Sequence, residues 1–204
     1  MGTRGLFGFV KNGKPKLMYN HFDSYPEGLG KCMCEFISTS NKFELNDMYK
    51  AITLVAEHKP ATAEEADFCI TAGLYDNTVS SGEPTDWYCL LRREQGDLNL
   101  IRDVINRYGK AYMIDSHTFI EDSLFCEFAY IINLDTDTLD IYRGYVKNAY
   151  PIERDPETGR RHNRMYLPCQ MYMSVPLEDL YGANDIEIDE TISIASEVLN
   201  REEE

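Results

Sequence analysis

The sequence predicts an α+β fold, a mainly antiparallel sheet covered by helices, on three observations. Hairpin signals lie towards opposite ends of the chain, and helical periodicity fills the stretch between them. The composition, 43% hydrophobic and 27% charged over 204 residues, is that of an ordinary globular protein.

Taken in order, Thr3 to Val10 and Lys16 to Asn20 read as strands. Lys11-Asn12-Gly13-Lys14 joins them, and its Asn-Gly suits the positive φ angles of a tight hairpin turn. Ser24 to Gly30 carries a Pro and two Gly, so the chain must bend there. Lys31 to Ile37 and Leu45 to His58 are helical in character, the second with Asn46 or Asp47 as cap and Met48, Ile52 and Val55 at helical spacing. Thr62 with Glu64 and Glu65 starts a further helix running to about Ala72. Residues 76–86 are turn-rich and read as a surface loop. Asp86 to Glu94 and Leu98 to Tyr108 look helical, the latter capped by Asp97. Phe125 to Leu134 and Leu139 to Val146 flank Asp135-Thr136-Asp137-Thr138 and read as the second hairpin, able to share a sheet with the first. Cys169 to Val175 is a further strand, and Ile188 to Asn200 a last helix.

The expected organisation is a single α+β domain over 1–187 and an acidic C-terminal helix and tail over 188–204. The net charge is −15, and residues 185–204 hold eight acids against one Arg, nearly half of the excess. That balance disfavours nucleic acid as a partner. Apolar runs fall far short of the ~20 residues that span a bilayer, and the N-terminus lacks the basic-then-apolar order of a signal peptide. A cytoplasmic protein without a membrane partner is the expectation. The six cysteines lie in apolar contexts with no C-x-x-C and read as reduced, mostly buried thiols. The 14 tyrosines suit a core, a base-stacking pocket or a self-association surface, so a homo-oligomer stays open.

The candidate site is the run YNHFDSYPEGLG, where Asn20, His21, Asp23, Ser24 and Tyr25 gather at a strand end. Loops on rigid strands are where sites concentrate. A purely local role competes with this, since Asn and Asp also shape turns by bonding nearby backbone. His21 with Asp23, and Asp115 with His117, would form a His2Asp2 metal site if the two pairs met; no metal and no cofactor is the favoured reading. Asp135-Thr136-Asp137 reads as a hairpin turn first. Glu121-Asp122-Ser123 would supply a site carboxylate or simply cap a turn. Arg154, Arg160, Arg161, His162 and Arg164 would clamp a phosphate, or form a solvated loop.

TRG near the N-terminus, YNHFDSYPEGLG, and DSLFCEFAYIINLDTDTLDIY together resemble a family of uncharacterised microbial, fungal and phage proteins. That resemblance implies that both hairpins belong to one domain, and its phage members suggest an accessory, anti-defence role such as sequestering a signalling nucleotide. Gly2-Thr3-Arg4 followed by Asn20, His21 and Asp23 is also similar to the opening of N-terminal-nucleophile hydrolases, which implies αββα layers. Such chemistry needs a leading Cys, Ser or Thr with a free α-amine. Removing Met1 exposes Gly2, so only a second cut would free Thr3. The expected function is therefore binding of a small molecule, anionic or nucleotide-like, at Arg4, Tyr19, Asn20, His21, Asp23, Tyr25 and Arg161. The alternatives are an amidohydrolase using Thr3 after processing, and a protein-interaction module built on the acidic C-terminal helix.

Overall fold

A computed structural model describes residues 2–149, 152–154, 161–163 and 165–202, with the side chains of 152–154, 161–163 and 200–202 left out. The fold is α+β. Strand β1 (Gly5–Lys11) turns into β2 (Lys14–Asn20) through Asn12 and Gly13, both at positive φ (51° and 65°). That is the geometry a two-residue hairpin turn needs, and Asn-Gly adopts it at little cost. The carboxylate of Asp135 accepts both backbone N–H groups of this turn, from Asn12 at 2.6 Å and Gly13 at 2.9 Å. Asp135 thus belongs to a hairpin turn and fastens the other one to it.

After a π-helical turn, Pro26–Gly30, come α1 (Lys31–Ser38) and α2 (Lys42–Ala51). Helix α2 departs from expectation at both ends. Its cap is Asn41, whose side chain accepts from the N–H groups of Phe43 and Glu44, and it stops at Ala51. The next four residues form a strand, β3 (Ile52–Val55). Ile-Thr-Leu-Val is rich in β-branched residues, which favour a pleated surface. The Lys16 ammonium fixes the junction by donating to the carbonyls of Tyr49 (2.7 Å) and Ile52 (2.5 Å).

Helix α3 (Ala63–Thr71) begins with a reciprocal capping box between Thr62 and Glu65. The 76–86 segment is a loop, tied down where the Asp86 carboxylate accepts from Ser80, Ser81 and the backbone of Tyr88. The helix expected over 86–94 is a single turn, α4 (Trp87–Leu90), followed by a 3₁₀ turn, Arg92–Glu94. Helix α5 (Leu98–Tyr108) has Asp97 as its cap and ends at left-handed Gly109. It leads into β4 (Ala111–Ile114), which pairs parallel with β3.

The second hairpin, β5 (Phe128–Asn133) and β6 (Thr138–Arg143), joins the first in one five-stranded sheet of order β2-β1-β5-β6-β9. Strands β7 (Ile152–Arg154) and β8 (Arg161–Asn163) form a separate pair, and β9 (Gln170–Pro176) is the edge of the sheet opposite β2. The sheet is mixed, because β1 and β5 run parallel while the other neighbours are antiparallel. A short helix α6 (Leu177–Leu180) precedes α7 (Asp185–Glu202), which buries Ile188, Ile192 and Ala195 in the main core.

Alternation along the strands divides the core in two. Phe7, Phe9, Tyr130, Ile132, Leu139 and Ile141 face the helices, while Leu6, Leu17, Ala129 and Ile131 face a thin cover that includes Phe119, Ile120 and Cys126. Among the described residues, no helix is long and apolar enough to cross a membrane.

Candidate functional site

The end of β2 meets the carboxyl ends of the parallel pair β3–β4, and a cleft of about 420 Å³ opens there. Outside the carboxyl ends of parallel strands, backbones diverge and leave room for ligands. Met18 and Tyr19 come from β2, Ile114, Asp115 and Ser116 from the end of β4, and Glu57 from just beyond β3. Tyr88 and Gln95 enter from the α4 region, and Thr118 and Phe119 from a 3₁₀ turn, His117–Glu121. The volume falls within the ~300–1,000 Å³ usual for small-molecule sites.

Tyr19 anchors the aromatic wall. Its ring meets Phe119 edge-on at 5.3 Å, and its hydroxyl lies 2.7 Å from Nδ1 of His21. Burial, then the nearby Tyr88, raises the pKa of the Tyr19 phenol. Burial, then Arg92 and Arg4, lowers that of the His21 imidazole. Both groups are therefore neutral near pH 7, and the phenol donates to Nδ1, leaving the ring proton on Nε2. At the rim, Asp115 Oδ1 lies 2.6 Å from His117 Nδ1.

A second depression of about 340 Å³ adjoins the cleft and shares Gln95 with it. Phe22, Asp23, Tyr25 and Arg92 line it. Arg92 donates to Gln95 Oε1 at 2.5 Å and lies over the rings of Phe22 (5.6 Å) and Tyr88 (5.8 Å). Its charge therefore stands between the two hollows.

The run around residue 20 divides into a supporting and a presenting half. Asn20 is buried, and its amide donates to Ser24 Oγ at 2.8 Å and to the Phe22 carbonyl. Asp23 takes a left-handed φ of 52°, and its carbonyl accepts from Leu29 at 2.8 Å. Gly28 is required beneath it, since a Cβ there would stand 2.1 Å from that carbonyl oxygen. These residues build the turn, whereas His21, Phe22, Asp23 and Tyr25 reach outward from it.

Of the expected ligand-binding residues whose side chains are described, only Tyr19 lines the main cleft, while Asn20, Asp23 and Tyr25 line the adjoining groove. Arg4 stacks over Phe125 at 4.7 Å and lies near enough to His21 to lower its pKa. Thr3 is half-buried, and its carbonyl accepts from the Ser24 amide at 3.1 Å; it lines neither hollow. The side chains of Arg154, Arg161 and His162, and all of Arg160 and Arg164, lie outside the described residues. Among the described residues no three His, Cys, Asp or Glu side chains gather as metal ligands, so the two His–Asp pairs do not form a joint His2Asp2 site.

Glu57, Tyr88, Gln95, Phe119 and Arg92 belong to no motif that the sequence singles out. The signal that would have found some of them is the missed strand β4, whose end carries the chain into Asp115 and Phe119. Comparison of the chain with protein-family models, curated proteins and solved structures gives no match.

Proposed function

We propose that the cleft binds a planar small molecule and that the protein acts by holding this ligand rather than by hydrolysing it. The observation that carries this reading is the convergence of three rings, Tyr19, Tyr88 and Phe119, on one hollow whose polar groups come from separate strand ends. The rings offer faces and edges to an aromatic ligand. Glu57 and Asp115 suit hydrogen-bond donors on one side of it. Arg92, at the junction with the adjoining groove, suits an anionic group at the other end.

A nucleotide divides its donors and its charge in this way. The anionic character expected of the ligand then belongs to one end only, because the cleft itself presents two carboxylates. Burial raises the pKa of the Tyr19 phenol, which disfavours its reactive phenolate, and its hydrogen bond to His21 holds the ring in place as part of the aromatic wall. Sequestration of a signalling nucleotide by an accessory protein is the setting that the resemblance to phage proteins suggests.

Titration calorimetry with adenosine, AMP and inorganic phosphate, on the wild type, Tyr88→Ala and Arg92→Ala, tests the reading. AMP should bind. Tyr88→Ala should weaken it about tenfold or more, as loss of a ring worth ~1–3 kcal/mol of base stacking implies. Arg92→Ala should weaken AMP more than adenosine. Absence of binding by any nucleoside or nucleotide, or unchanged affinity in Tyr88→Ala, would overturn it.

A further inference from the structure

Two of the six cysteines meet behind the cleft wall. Cys126, fully buried, precedes β5, and Cys169, half-buried, immediately precedes β9. The Cys169 thiol lies 3.2 Å from the carbonyl oxygen of Cys126, to which it donates. Cys126 Sγ also lies 3.5 Å from the Phe128 carbonyl oxygen. Both side chains sit in the small apolar cluster with Leu6, Leu17, Ala129 and Ile131.

The backbone around the pair is held on both sides. The Cys169 N–H donates to the Ile120 carbonyl at 2.8 Å. Gly144 donates to Glu127 at 2.8 Å, and Tyr145 to Ser123 at 2.6 Å. A Cβ on Gly144 would stand 2.1 Å from the Cys126 carbonyl oxygen, so the main chains are in direct contact there. The thiols are thus placed by a fixed register rather than by the chance approach of two loops.

We infer that Cys126 and Cys169 form a reversible redox pair, whose oxidation to a disulfide tethers the segment carrying Phe119 to the start of β9. Disulfide exchange supplies a balanced route. The Cys169 thiolate, the more accessible of the two, attacks one sulfur of a low-molecular-weight disulfide such as oxidised glutathione and releases one glutathione thiol. The Cys126 thiolate then attacks Cys169 Sγ and expels the second. Two protein thiols are oxidised, one small disulfide is reduced, and both protons leave with the released thiols. Contact with Cys169 and burial raise the Cys126 thiol pKa, which makes the second step the slow one and speeds it at alkaline pH. The pair stands whatever the cleft binds.

The test uses the full chain, incubated with oxidised glutathione, denatured, treated with N-ethylmaleimide and read by intact mass and peptide mapping. Of the six cysteines, all but Cys126 and Cys169 should take the label, those two should appear as one crosslinked peptide, and dithiothreitol should restore labelling of all six. Cys126→Ser should retain a glutathione adduct on Cys169. The crosslink in the wild type needs no variant to fold. Hydrogen exchange over residues 117–127 should slow in the oxidised protein. Six labels after oxidation, a lasting glutathione adduct on wild-type Cys169, a crosslink between another pair, or unchanged exchange over 117–127 would overturn the inference.

Discussion

The hydroxyl of Tyr19 lies 2.7 Å from Nδ1 of His21, and the charge of Arg92 acts on both groups. It favours the phenolate and disfavours the imidazolium, yet burial dominates each, and both remain neutral at pH 7. His21 should therefore titrate below the ordinary histidine value of about 6.5 when followed by NMR, and Arg92→Ala should move it upward. The unfolded chain then binds more protons than the folded one just below that pH, so stability falls as pH drops through this window. Arg92→Ala should lessen the fall. A His21 titration indifferent to Arg92 would uncouple the two.

Glu94 is fully buried, and among the described residues neither of its carboxylate oxygens has a hydrogen-bond partner. Burial, with Asp97 adding repulsion, pushes its pKa well above the usual glutamate value. A carboxyl raised in the folded state stabilises least where the unfolded chain has already lost the proton. Stability should thus decline as pH rises from about 4.3 towards the folded pKa, at its steepest by about 1.4 kcal/mol for each step of one in pH. Glu94→Gln should be more stable than the wild type at pH 7 in urea unfolding and should flatten that decline. An unchanged pH slope would contradict the burial argument.

Gly96 and Gly73 share a φ of 78°, but only Gly96 is crowded: a Cβ there would lie 2.8 Å from Asn20 Oδ1, whereas nothing stands within 4 Å at Gly73. Gly73→Ala should cost the left-handed backbone penalty alone, about 1–2 kcal/mol. Gly96→Ala should cost more, because Asn20 must shift and loosen its bond to Ser24. Equal losses in denaturant unfolding would mean that the Asn20 contact contributes nothing.

How far the sequence foretells this molecule depends on how local each cause is. The turn at Asn12-Gly13 and the caps at Thr62 and Asp97 were legible, because each is decided by residues within a few positions. Strand β3 was not, since Met48, Ile52 and Val55 continue a helical spacing, and the strand's parallel partner, Ala111–Ile114, lies far along the chain. The site shows the same division. Tyr19 was legible from its place beside the polar turn, but Glu57, Tyr88, Gln95 and Phe119 come from four separate segments that no spacing connects. Asn20 was legible as part of the polar turn, where it both lines the adjoining groove and supports the turn by donating its amide N–H groups to Ser24 and Phe22.

The parallel pairing of β1 with β5 bears on how this chain comes into being. Gly5 finds its partner at Phe128, so the first hairpin emerges during synthesis with one edge of β1 open. Until the second hairpin has been made, that row of N–H and C=O groups is a template for wrong pairing. Closing so long a loop before its contacts form makes assembly slow. Nascent chains that stall before β5 should therefore be the ones that depend most on protection from aggregation.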